Sequence, residues 1–178
     1  MNVLYAKSIL YAYPNIEAIA DQIDDLVEKK ALASMTDFSP AVEQCQKIID
    51  LTEQKVELFK LQILVEKILK SFTEDEMHCL DYKYFKRKPK DYYQGFDTSS
   101  RNYFRKQNRI VKKFIDKLEK NKFDDNAFES RLLTMDFFVQ LLKRVKYHEE
   151  ISNKNKGGKK VEKQKGVGVK PAELTQSA

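Results

Sequence analysis

A chain of 178 residues that is 42% hydrophobic can bury the core of one domain and still carry a tail. Only five glycines and four prolines interrupt it, which argues against a strand-rich fold and for long helices. The net charge of +6 is unevenly placed. Residues 1–81 hold 8 Lys/Arg against 15 Asp/Glu, residues 82–122 hold 14 against 4, residues 123–152 hold 4 against 6, and residues 153–178 hold 7 against 2. An acidic part followed by a compact basic segment points to local polyanion binding rather than a generally basic surface.

No stretch approaches the roughly 18 apolar residues of a membrane span. The opening "MNVLYAKSILYAYPN" lacks a basic leader with a long apolar run. Two cysteines, Cys45 and Cys79, fit a reducing compartment. The expectation is a soluble cytoplasmic protein.

Residues 2–12 read as one or two helical turns ended by Pro14. Asn15 then caps a helix running to about Ser34, with Ile16, Ile19, Ile23 and Leu26 inward. Ser39 and Pro40 suit the start of a helix that continues to about Phe72. Along it, Val42, Cys45, Ile49, Thr52, Val56, Phe59 and Ile63 alternate at intervals of three and four, a heptad seam. A second stripe, Leu58, Leu61, Val65, Ile68 and Phe72, joins it in the C-terminal half. Residues 15–34 of the same chain would cover the seam as an antiparallel partner, and a second copy of the protein would cover it equally well.

"FTEDEMHCLDYKYF" opens on Thr73 with Glu76 three residues later, a capping box. Met77, Leu80, Tyr84 and Phe85 point inward, and Pro89 ends the helix. "PKDYYQ" is a short helix stopped by Gly95, and Asp97, Thr98 or Ser99 caps the next one, "SSRNYFRKQNRIVKKFIDKL". Three unequal helices with a glycine turn before the last make a helix-turn-helix pattern. A final helix from "DDNAFES" carries the stripe Phe128, Leu132, Met135, Val139 and Leu142. From 153 onward, lysines and glycines without aromatics predict disorder. The expected architecture is all-α: a helical scaffold over 1–71 suited to dimerisation, a helix-turn-helix domain over 72–122, an amphipathic helix over 123–152, and the Lys-rich tail.

The segment 72–120 resembles region 4 of sigma-70-type factors, and more closely the small sigma-region-4-like regulators of phages and Firmicutes, the ArpU/RinA type. The likeness rests on the acidic capped first helix ending in an aromatic pair, the glycine turn, and the run Arg109, Ile110, Val111, Lys112, Lys113, Phe114. Tyr103 takes the inward position usually filled by valine or tyrosine, and Gly95 precedes it by eight residues where the family pattern has about six. The resemblance implies a DNA-binding transcription regulator, with RNA polymerase as a further partner by analogy.

On the last of the three helices, Tyr103, Val111, Phe114 or Ile115, and Leu118 face inward. N-terminal residues of a recognition helix reach base edges, so Ser100, Arg101, Asn102, Arg105 and Lys106 are the base-contact candidates. Arg101 and Arg105 suit guanine and Asn102 suits adenine. Phosphate contacts fall to Arg87, Lys88 and Lys90 before the helix, Ser99 at its start, and Arg109, Lys112 and Lys113 further along. Six to ten neutralised phosphates would cost roughly 10³–10⁵ in affinity between about 50 and 200 mM salt.

Other constellations read as structure. Adjacent His78 and Cys79 face different sides of a helix, and no metal-ligand spacing involves them, Cys45 or His148. Tyr82, Tyr84, Phe85, Tyr92, Tyr93, Phe96, Tyr103 and Phe104 serve as core rings more readily than as stacking platforms for single strands. Glu74, Asp75, Glu76 and Asp81 complement a helix dipole. Phosphate loops, nucleophile elbows and zinc-protease motifs are absent, so neither an enzyme nor a cofactor is expected. The rival reading is a non-enzymatic helical adaptor that binds a protein through the seam.

Overall fold

The computed structural model describes residues 1–33, 41–86 and 100–162, excepting the side chains of 100, 101 and 153–162. Seven α-helices make up this part: α1 (Val3–Ala12), α2 (Ile16–Ala33), α3 (Ala41–Leu69), α4 (Glu74–Leu80), α5 (Ser100–Lys120), α6 (Asp125–Leu132) and α7 (Asp136–Glu162). A 3₁₀ turn, Tyr13–Asn15, links α1 to α2 with Pro14 in its first positions, where no N–H is required. A π-helical turn, Asp81–Phe85, extends α4. The described residues contain no strand.

The short α1 is the hub. It packs on α5, α7 and the π turn, and Ala6, Ile9, Leu10 and Ala12 are fully buried. Its small residues let neighbouring backbones come close, and its long ones fill the space between them. Asn2 caps it by accepting from the Leu4 N–H at 2.9 Å, while its own N–H donates to Asp125 at 2.6 Å. Tyr5 stacks on Phe128 with ring centres 4.3 Å apart and donates its hydroxyl to Glu129 at 2.8 Å. One contiguous core runs from Ala6 through Leu58, Leu80, Phe114 and Phe128 to Phe138, joining residues of the range 1–71 to those of the range 72–122.

The expected antiparallel pair of α2 and α3 is present, with Lys55 on Asp24 at 2.6 Å and Gln62 on Glu17 at 3.2 Å. The face that α3 turns to it differs from the expectation. Leu58, Leu61, Val65, Ile68 and Leu69 are buried, with Ile48 and Leu51 half-buried, whereas Val42, Cys45, Ile49, Thr52, Val56, Phe59 and Ile63 are all exposed. Two apolar registers lie one residue apart on this helix, and α2 and the core take the one richer in leucine. Leu26 of α2 is exposed as well.

Three further departures concern helix ends. The helix from Glu74 stops at Phe85, before Pro89, because Lys86 adopts a left-handed conformation with φ of 48°. The last helix is broken: α6 ends at Leu132, a turn through Leu133–Met135 follows, and α7 begins at Asp136. The turn shifts the buried stripe by one residue, so Phe138 and Val145 enter the interior while Val139 and Leu142 are only half-buried. It also sets Phe138 edge-on to Phe128, with centres 6.1 Å apart. The backbone of α7 stays helical to Glu162, into the range expected to be disordered, because propagation costs little once a helix is nucleated. The expected features at Ser39, Pro40, Pro89, Gly95 and Asp97–Ser99, and residues 163–178, lie outside the described residues. Among the described residues no helix is long and apolar enough to cross a membrane.

Candidate nucleic-acid interface

The site is built on α5, a helix of 21 residues. Its inward face comprises Ile110, Val111, Phe114, Ile115 and Leu118, all buried, with Tyr103 half-buried above them. Phe123 closes the helix end, its N–H donating to the Leu118 carbonyl at 3.0 Å, while Lys122 turns left-handed at φ 60°. With five apolar side chains anchored, the orientation of the opposite face is fixed.

That opposite face carries Asn102, Arg105, Arg109 and Lys112, all exposed. Intervals of three and four place them along one side, over about 15 Å of helix axis. Arg105, Arg109 and Lys112 form no ion pair with another described residue, and exposed Asp116 ends the basic row one turn on.

Lys106 and Lys113 stand further round the helix, toward α4. Lys106 bonds Asp75 at 3.1 Å, and Lys113 bonds Glu76 at 2.6 Å with its ammonium 4.6 Å from the centre of the Phe72 ring. These acids sit in the first turn of α4, where the helix dipole also favours them. Thr73 and Glu76 form the expected capping box: the Thr73 hydroxyl accepts the Glu76 N–H at 3.4 Å, and Glu76 Oε2 accepts the Thr73 N–H at 2.9 Å. Burial alone would raise the Glu76 carboxyl, but the bonds from Lys113 and Thr73 outweigh it and hold the group below its ordinary value. Glu76 therefore caps α4 and ties α5 to it.

The site candidates thus divide. Asn102, Arg105, Arg109 and Lys112 come together on the open face. Lys106 and Lys113 brace the helix against α4. Arg87, Lys88, Lys90 and Ser99 lie outside the described residues, as do the side chains of Ser100 and Arg101. Of the aromatics, Tyr84 and Phe85 are core, while Tyr82 and Phe104 are exposed.

One residue of the site escaped the sequence reading. Gln107 is buried amid the inward face, and its Nε2, like the Tyr103 hydroxyl, has no hydrogen-bond partner among the described residues. Burial pushes the Tyr103 phenol up to about 12. The spacing of Gln107 from Tyr103 and Val111, four residues each way, was the available signal. In comparisons with known proteins, no family model, characterised protein or solved structure matches the chain.

Proposed function

We propose that this protein is a DNA-binding transcription regulator, cytoplasmic and non-enzymatic, that works as a homodimer and lays α5 in the major groove. The observation that carries the reading is the open row Asn102, Arg105, Arg109, Lys112 on a helix whose other side is anchored in the core. Planar guanidinium groups near a helix start suit guanine edges, and cations further along suit phosphates. The resemblance of 72–120 to sigma region 4 supports the same assignment, with RNA polymerase as a second partner.

Arg105 and Arg109 separate the two kinds of contact. Arg105→Ala should relax preference at one base pair at a cost of about 1–3 kcal/mol on the preferred site. Arg109→Ala should weaken all duplexes alike. Binding by both variants indistinguishable from wild type on every duplex would refute the assignment.

A second reading, a helical adaptor for another protein, is favoured by the exposed apolar stripe of α3. Recovery of one stoichiometric protein partner from a chain that retains no duplex DNA would select it.

A further inference from the structure

The displaced seam on α3 leaves a surface that needs an occupant. Val42, Ile49, Val56 and Ile63 recur every seven residues and are 80%, 49%, 46% and 67% exposed. Cys45, Thr52 and Phe59 alternate with them, and all are exposed. The stripe extends about 32 Å along the helix. A contiguous apolar strip of this length on one helix is an interaction surface rather than scattered exposure.

We infer that the occupant is a second copy of this chain, joined by a parallel, in-register pairing of the two α3 helices about a twofold axis. This deepens the dimer of the proposed function, and it stands whether or not the chain binds DNA. Two observations support it. All four residues at the first heptad position are β-branched, which is the first half of the pattern that favours two parallel strands; the fourth position holds Cys45, Thr52 and Phe59 where that pattern has leucine. In that arrangement each position meets its own copy, so Val56 packs on Val56 and Phe59 on Phe59, and no apolar layer is wasted on a polar partner.

The second observation is charge. In a parallel pair the edge holding Lys55 and Gln62 faces the opposite edge of the other helix, which holds Glu53 and Lys60. Lys55 would confront Lys60 of the second copy, but Asp24 of α2 already sits on Lys55 at 2.6 Å. Glu17, brought to the same edge by Gln62, and exposed Asp21 add to the negative charge there. The Lys60 side chain is 60% exposed and, among the described residues, pairs with Glu57 of the turn before, a contact that costs little to exchange. An antiparallel pairing would instead bring the two acidic α2 edges together. Glu66 stands where the next apolar residue would be and ends the seam. The seam spans three heptads, less than obligate interfaces bury, so the association is expected to be reversible.

The test uses the full chain. Sedimentation equilibrium under reducing conditions should show a reversible monomer–dimer equilibrium at micromolar concentration. Val56→Lys and Ile63→Lys, at positions open to solvent in the monomer, should each raise the dissociation constant at least about tenfold while leaving the circular-dichroism melt of the dilute protein unchanged. In the parallel register Cys45 meets Cys45 of the second copy. Diamide should therefore give a disulfide-linked dimer quickly, slowly with Val56→Lys, and not at all with Cys45→Ser. A chain that stays monomeric at hundreds of micromolar would overturn the inference. So would a dimer indifferent to both lysine variants, or one that forms no Cys45 disulfide.

Discussion

Lys113 and Glu76 show how one residue pair serves two elements. The ammonium bonds a carboxylate that is also the reciprocal half of the capping box begun by Thr73, so its loss weakens α4 and the α4–α5 contact together. Lys113 and Glu76 are one-third and one-fifth exposed, which discounts their pairing to about 1 kcal/mol at neutral pH. Because Glu76 is held below its ordinary value, its contribution is complete above the unfolded-state value and is lost as pH falls through the folded one. Lys113→Ala should therefore lower stability at pH 7, and the gap from wild type should close on acidification below the glutamate range. Urea melts across pH check this, and a gap that widened in acid would contradict it. The capping box was legible in "TEDE" because its signature is local. The pairing of Lys113 and Lys106 with α4 was not, because a row of cations on a helix does not show which of them meet acids on another element.

At the scale of the element, α3 carries two registers that sequence periodicity could not rank. Both repeat at intervals of three and four, and only the packing partner distinguishes them. Leu58→Ala should cost about 2–5 kcal/mol, since Leu58 is fully buried and its deletion leaves a cavity. Phe59→Ala, one residue on and 40% exposed, should cost the dilute monomer no more than about 0.5 kcal/mol. Thermal melts of the two variants compare them directly, and equal costs would mean that α2 covers the other register. The break between α6 and α7 was hidden for a related reason. No proline or glycine marks Leu133–Met135, and the turn is held by local bonds such as the Thr134 hydroxyl donating to the Arg131 carbonyl at 3.1 Å. Likewise Lys86 and Lys122 end helices in the left-handed region that glycine usually supplies. At Lys122 a glycine relieves that conformation, so Lys122→Gly should not destabilise the protein, and a melting temperature several degrees lower would show otherwise.

Across the whole molecule the charge segregation is the feature most visible in the sequence, and the fold gives part of it a structural task. The acidic part supplies Asp75 and Glu76 to brace α5 and Asp24 to neutralise Lys55, leaving the cations of the open α5 face without acidic partners among the described residues. The all-helical class followed from the scarcity of glycine and proline and from the apolar periods. The single core that joins α1 to α5 and α7 did not, because a ten-residue N-terminal helix shows no sign of how many elements it touches. The central claim, that the open face of α5 reads duplex DNA, is tested most directly by titrating the protein into labelled random-sequence duplexes at several salt concentrations and sequencing what stays bound at the highest salt. The phosphate contacts assigned to Arg109 and Lys112 alone predict that log K falls with log salt at a slope of about −2 or steeper, with an enriched motif among the retained duplexes. A flat dependence, or no binding at about 50 mM salt where phosphate contacts are strong, would contradict it.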